Sequence, residues 1–259
     1  MNTLLPAVAV MQPIYLDYNA TTPIHVDAVA AMSRVMTGGL GSVFGNPSSS
    51  HAFATPAMES MRTARAQVAH FVGAHPEEIV FCSGGTESVN HILKGLFITA
   101  SAAGGADATA FPPSRPHMIV SAIEHVAVLE CAHWLQACGF ADLTIVPVSE
   151  EGIVSVEDVM AAVTPATRLV SIMLANNETG ALQPIAQLAV RLHASGQQPL
   201  LLHTDASQAL GKVPVSVSEL GVDLLTGVGH KFYAPKGIGF TYVRTGVTLP
   251  PLFHGGGQE

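Results

Sequence analysis

The segment DLLTGVGHKFYAPKGIG, residues 223–239, brings an apolar, strand-like run to a stop at His230 and Lys231, among four glycines. A lysine at the carboxyl edge of a buried sheet can form a Schiff base once its pKa is lowered. Taken singly, Lys231 reads equally as a solvated surface charge. In LLLHTDASQALGK, Asp205 lies just beyond another apolar strand, and Gln208 follows one helical turn on. A carboxylate there can hold a ring nitrogen protonated, and a charged pyridinium is a strong electron sink. Alone, Asp205 reads as well as a helix N-cap.

Three further strand ends carry polar groups. IVFCSGGTES is a strand, a glycine turn and a helix opening at Thr86 with Glu87 in its first turn. Free N–H groups at such an opening bind phosphate, and a glycine such as Gly85 lets an anion approach the backbone. The bland alternative is an ordinary helix capped by Ser83 or Thr86. SAIEHVAVLE puts His125 at a strand-to-helix junction, where an imidazole can stack on a flat ring or pass protons. LANNETG places Asn176 and Asn177 after another strand, both facing the same edge. A phosphate nest, a flat-ring partner, amides, a carboxylate and a lysine at successive strand ends together describe a pyridoxal phosphate site.

The elements that must position these groups follow a simple alternation from about residue 77. The runs EIVFC, HMIVSA, LTIVPV, RLVSIMLA, PLLLHTD, DLLTGV and GIGFTYV read as strands. Between them TESVNHILKGLF, VAVLECAHWLQACG, VEDVMAAV and IAQLAVRLHASG have helical apolar spacing. Strand and helix in alternation predict an α/β domain with a mostly parallel sheet and helices on both faces. In such sheets ligands sit beyond the carboxyl ends of the strands. Upstream, TPAMESMRTARAQVAHFVGA predicts one helix, with Met58, Met61, Ala64, Val68 and Phe71 on a core-packing stripe. LDYNATTPIHVDAVAAMSRVM reads as a turn-rich lead-in with a short helix, and residues 101–116 as a surface loop.

Composition narrows the classes. With 259 residues, 48% hydrophobic and 12% charged, the chain is globular, and its longest apolar runs are too short to cross a bilayer. A net charge of −8 with 11 scattered Lys and Arg argues against nucleic acid as a partner. The first ten residues lack the basic start of a signal peptide. Cys82, Cys131 and Cys138 form no CxxC and no even framework, no metal site is assigned, and free buried cysteine is their default state. The expected compartment is cytoplasmic. GLGSVFG at 39–45 misses the dinucleotide fingerprint by one position and follows a helix, which disfavours a nicotinamide-dependent oxidoreductase.

YLDYNATTP, GNPSSSH, SGGTES, EH at 124–125, NNETG, HTDASQALGK, GHKFYAPKGIG and GGGQE occur in an order and approximate spacing that resemble the class V aminotransferase-like group. Within it the chain is similar to the cysteine desulfurase and selenocysteine lyase (NifS-like) branch, from Tyr15 onward. That resemblance implies the large domain of a fold type I pyridoxal phosphate enzyme, over residues 31–259, with 1–30 as tail and lead-in. It implies that Lys231 is the Schiff-base lysine and that Asp205 pairs with the pyridinium nitrogen. Gly85, Thr86 and His230 would hold the phosphate, Asn177 and Gln208 would address the phenolic oxygen, and His125 would stack on the ring.

The implied reaction is cleavage of the Cβ–Se bond of L-selenocysteine, or the Cβ–S bond of L-cysteine, with alanine as product. A homodimer is the implied state. Val228 stands where cysteine desulfurases tend to have serine, which favours the selenocysteine lyase side. Ala234 stands where the family usually has glycine. After GGGQE the family continues into an arginine-rich segment and a small domain with the reactive cysteine. None of these is in the chain, and the three cysteines present do not match that nucleophile. The expectation is a large domain whose small domain is missing, with a nonenzymatic cofactor-binding protein as the alternative from another class.

Overall fold

The computed structural model describes residues 13–38, 43–102, 115–196, 200–257 and 259. Seven strands form one sheet: β1 Ile79–Cys82, β2 His117–Ser121, β3 Asp142–Val146, β4 Thr167–Ser171, β5 Leu201–Asp205, β6 Leu224–Val228 and β7 Gly239–Val243. Their order across the sheet is β1-β7-β6-β5-β4-β2-β3. β3, β2, β4, β5 and β6 run parallel, and β7 is antiparallel to both β6 and β1. The helices are α1 Val26–Met36, α2 Thr55–Val72, α3 Gly85–Ala102, α4 Val126–Ala137, α5 Val156–Ala162, α6 Ile185–Ala194 and the single turn α7 Val217–Leu220. Most of the predicted surface loop, residues 103–114, lies outside the described residues, as do residues 39–42 of GLGSVFG and the N-terminal tail.

Alternation along each central strand explains why both faces are covered. Met118 and Val120 of β2, Leu169 of β4 and Leu224 of β6 pack with Val89, Ile92, Leu93 and Phe97 of α3 and with α4. Their neighbours Ile119, Val170 and Leu225 point the other way, into a second core with α2, α5 and α6. A parallel strand buried on both sides must be apolar at nearly every position, which is why these runs read as continuous rather than alternating. Each fully buried Leu, Ile or Phe contributes on the order of 2 kcal/mol relative to exposure.

One stripe differs from its sequence expectation. In α2 the buried residues are Ala57, Ala69 and Val72. Met58, Met61, Ala64 and Val68 are half-buried, and Phe71 is exposed, its ring 5.7 Å from that of Phe232. The helix thus sits on the sheet by its small residues. The larger ones form a margin, because α2 packs at the side of the core and not over its centre.

Candidate functional site

The carboxyl ends of the parallel strands open on a cavity of about 630 Å³. Its lining includes Gly85, Thr86, His125, Asn177, Asp205, Gln208, His230 and Lys231, so every residue singled out above for cofactor contact is brought to one place. The volume lies within the range of small-molecule sites, roughly 300–1,000 Å³. Each side chain arrives by a short route from a strand end. Asp205 closes β5, His125 opens α4, Gly85 opens α3, and Lys231 ends a single 3-10 turn, Gly229–Lys231, directly after β6.

Gly85 is glycine for a steric reason. A Cβ there would lie 2.8 Å from Cγ2 of Val228 and 3.8 Å from Oγ of Ser207. The first turn of α3 therefore stands against β6, with its N-terminal N–H groups at the cavity. Neither Ser83 nor Thr86 caps this helix. The Glu87 carboxylate folds back instead, accepting from the Ser83 N–H at 2.8 Å and from the Ser83 hydroxyl. Asp205 is not the helix N-cap it could have been: its Oδ1 accepts from the Ser207 N–H at 2.9 Å, but the residues that follow form turns and not a helix. It is 7% exposed.

Lys231 Nζ donates to the backbone carbonyls of Asn19 and Ala20, each at 2.8 Å. Burial, and then the nearby Lys212 ammonium, lower its pKa below the usual lysine value. That raises the fraction of free amine, the form that attacks a carbonyl carbon. Burial also lowers the pKa of His230, with Lys231 and Lys236 adding to it, and His230 Nδ1 lies 3.0 Å from Thr21 Oγ1. His125 Nδ1 accepts from the Ala127 N–H at 3.1 Å. Its neutral ring accordingly carries the proton at Nε2. Gln208 donates one Nε2 hydrogen to the Asn19 carbonyl at 2.9 Å and accepts from Lys212, which leaves its second Nε2 hydrogen uncommitted among these bonds.

Two sequence expectations are corrected. Asn176 does not face the cavity beside Asn177. It is buried, its Oδ1 accepts from the N–H groups of Glu178 and Thr179, and its Nδ2 donates to the Ile123 carbonyl at 3.1 Å. A turn can use one asparagine of a pair as its own brace and present the other. Cys138 is exposed and Cys82 half-buried, so of the three cysteines only Cys131 meets the buried expectation.

Other lining residues went unrecognised in the sequence. Asp17, Asn19 and Ala20 come from the lead-in, and Ser207 from the turn after Asp205. The lead-in is stitched to the lysine turn: the Thr22 N–H donates to the His230 carbonyl at 2.9 Å, and the Tyr233 N–H to Thr22 Oγ1 at 2.8 Å. A backbone carbonyl belongs to every residue, so no sequence signal marks those of Asn19 and Ala20 as lysine partners. Ala234 is also accounted for. The left-handed residue of this turn is Tyr233, at φ 70°, and Ala234 is not among the residues of positive φ.

The cavity suits pyridoxal phosphate. It has an anion-binding helix end at Gly85–Thr86, a buried carboxylate at Asp205 and an amine of lowered pKa at Lys231. The Ser207 hydroxyl is buried without a hydrogen-bond partner among the described residues. An orphaned polar atom beside a cavity suits a place where a polar ligand completes the bonding.

Both the sequence and the fold match known proteins. The aminotransferase class-V family model matches residues 14–259. The chain is 43% identical over 246 residues to the cysteine desulfurase IscS of Dictyoglomus turgidum, covering 95% of this chain and 58% of that protein. It is 47% identical over 260 residues to the selenocysteine lyase of Xenopus tropicalis, covering 95% and 59%. Among solved structures, a NifS-like protein superposes with a TM-score of 0.85 at 39% identity, covering 95% of this chain and 63% of that one. SspA in complex with cysteine superposes with a TM-score of 0.84 at 36% identity, covering 94% and 65%. The chain thus spans less than two thirds of the length of these relatives. Pyridoxal 5'-phosphate is the cofactor of this group.

Proposed function

The chain belongs to the aminotransferase class-V family, and from that membership we propose that it holds pyridoxal 5'-phosphate and serves a selenocysteine lyase, which converts L-selenocysteine to L-alanine and selenide. The observation that carries the reading is the convergence of Lys231, Asp205 and the Gly85–Thr86 helix end on one cavity. When bound, the cofactor supplies an electron sink that weakens the bond from Cβ to selenium or sulfur. The chain's residues do the rest of the assigned work. Lys231 would provide the amine for the covalent link to the cofactor, in place of its bonds to the carbonyls of Asn19 and Ala20. Asp205 faces the ring nitrogen and favours its protonated form. The N–H groups of Gly85 and Thr86, with His230, hold the phosphate.

Asn177 and the uncommitted Nε2 hydrogen of Gln208 address the phenolic oxygen. His125 would stack on the ring and, with Nδ1 engaged, offer a hydrogen bond from Nε2–H. Residues 31–259 form the cofactor-binding domain of this reading. The lead-in, 1–30, contributes the wall built from Asp17, Asn19 and Ala20. A cytoplasmic homodimer completes it. Free thiols suit a reducing compartment, and no helix among the described residues is long and apolar enough to cross a membrane.

L-Cysteine is the second candidate substrate, with sulfur transferred in place of selenium. It is favoured by the 43% identity to a cysteine desulfurase, whereas Val228 favours selenocysteine. The test is loading with pyridoxal phosphate, desalting and borohydride reduction. A yellow protein with the pyridoxyl adduct at Lys231 is expected. A colourless protein with no label there overturns the reading. Alanine release from each amino acid then separates the two substrates, and release from neither supports a nonenzymatic cofactor-binding protein.

A further inference from the structure

Glu124 is a buried acid with no part in the contacts assigned above. It is 5% exposed and stands one residue before His125, in the turn that joins β2 to α4. Its Oε1 accepts from the Ser121 hydroxyl and, at 2.8 Å, from the Met173 N–H. Ser121 ends β2, and Met173, just beyond β4, lines the cavity. The residues on either side of Met173 point their N–H groups the opposite way, toward β5. Ile172 donates to the His203 carbonyl at 3.1 Å and Leu174 to the Asp205 carbonyl at 2.9 Å. One short stretch therefore grips the carboxyl of Glu124 on one side and the backbone of Asp205 on the other. A second tie, from Asn176 Nδ2 to the Ile123 carbonyl, secures the same turn.

We propose that Glu124 is the positioning residue of the cofactor site, a carboxylic acid that clamps the His125 turn to the segment after β4 and so sets the imidazole relative to Asp205. Its two oxygens are used unequally. Oε1 takes both donors, and Oε2 is buried with no hydrogen-bond partner among the described residues. Burial, with a smaller contribution from the Asp205 carboxylate, raises the pKa to about 8 against the opposing bonds from Ser121 and Met173. At neutral pH the proton therefore sits on Oε2, and the side chain acts as a neutral group that accepts through one oxygen. An amide has the same shape and the same acceptor. Glutamine should replace Glu124, whereas alanine leaves the Ser121 hydroxyl and the Met173 N–H unpaired.

This inference rests on the pyridoxal phosphate reading, and the experiment separates the two. Wild type, Glu124→Gln and Glu124→Ala are titrated with pyridoxal phosphate, following visible absorbance for affinity and visible circular dichroism for the fixed orientation of the bound ring. Glu124→Gln is expected to keep both within twofold of wild type. Glu124→Ala is expected to absorb but to lose more than half of the dichroic amplitude, with about tenfold weaker binding, the equivalent of ~1.4 kcal/mol. Should the alanine variant not fold, Ser121→Ala removes one donor only and is expected to lower the dichroic amplitude, partly. Wild-type affinity and dichroism in Glu124→Ala, or in Ser121→Ala where that variant stands in, overturn the inference, as does a Glu124→Gln variant as impaired as the alanine. A wild-type protein that binds no cofactor overturns the reading beneath it and the inference with it.

Discussion

Two groups of buried polar side chains lie at neighbouring levels of the same sheet and are treated in opposite ways. In the interior, Ser171 Oγ lies 2.8 Å from His203 Nδ1, and His203 Nε2 lies 3.0 Å from Thr226 Oγ1. Thr226 continues to Ser88 Oγ at 2.8 Å, and Ser88 accepts from the Thr241 hydroxyl at 2.7 Å. All five side chains are fully buried, and each has a protein partner. His203 and Asp205 are two apart on β5 and so share a face. At the level of Asp205 the Ser207 hydroxyl and Glu124 Oε2 have no partner among the described residues, and the Lys231 amine rests on two exposed backbone carbonyls. The lesson is that a polar group the protein satisfies by itself belongs to the architecture, while one it leaves open belongs to a site.

The largest effect that tests this division is at Lys231. Lys231→Ala should abolish borohydride-trapped cofactor completely and leave the unfolding free energy within about 0.5 kcal/mol of wild type, since its partners return to water. Mass spectrometry of the reduced protein and urea denaturation measure the two. A loss of stability of several kcal/mol would place Lys231 with the interior group.

The next effect is one of pH. The folded pKa of Glu124 is raised from 4.5 to about 8, so the native state keeps a proton that the unfolded chain releases between those values. Stability from this group is fully present below pH 4.5, falls as pH rises, and levels off above about pH 8. The loss is on the order of 4 kcal/mol over that window. Glu124→Gln should remove the fall, so that unfolding free energies at pH 5 and pH 8 differ by less in the variant than in wild type. Equal slopes would mean that Glu124 is ionised in the fold.

Interior His203 predicts a smaller loss with the opposite pH sense. His203→Ala at pH 7 should cost about 3 kcal/mol in urea denaturation, for the cavity and the bonds lost by Ser171 and Thr226. Burial lowers the ring's pKa from 6.5 to about 3. Below pH 6.5 the unfolded histidine takes a proton that the folded one refuses, so wild-type stability falls with pH down to about 3. The cost of the substitution should shrink as pH drops through that window.

Much of this division was legible in the sequence wherever it depends on local pattern. Runs such as HMIVSA and DLLTGV announce strands covered on both faces, and the groups at their ends, Lys231, Asp205, His125 and Gly85, stand where such sheets place ligands. What escaped depends on partners far along the chain. Asn19 and Ala20 meet Lys231 across more than 200 positions, through carbonyls that carry no side-chain signature. Asn176 and Asn177 look alike until the Ile123 carbonyl claims one of them. Glu124 reads as an ordinary acid beside His125. Its proton follows from burial, and burial is decided by strands β2 and β4 coming together.

The smallest expected effect is the most discriminating, because it concerns a hydroxyl with no hydrogen-bond partner among the described residues. Removing Thr226 or Ser88 from the interior row would strand its partners. Ser207→Ala strands none, since no described group depends on Ser207 Oγ. Without cofactor its unfolding free energy should lie within about 0.5 kcal/mol of wild type, on the stabilising side if anything, because an unpaired buried hydroxyl carries a desolvation cost. Ser207 Oγ lies beside Gly85, where the phosphate is proposed to sit, so the same variant should bind pyridoxal phosphate a few-fold more weakly. Its affinity for pyridoxal, which has no phosphate, should not change. Calorimetric titration with both ligands reads the difference. An equal loss for both would move Ser207 from the phosphate to Asp205, whose Oδ1 its N–H already holds.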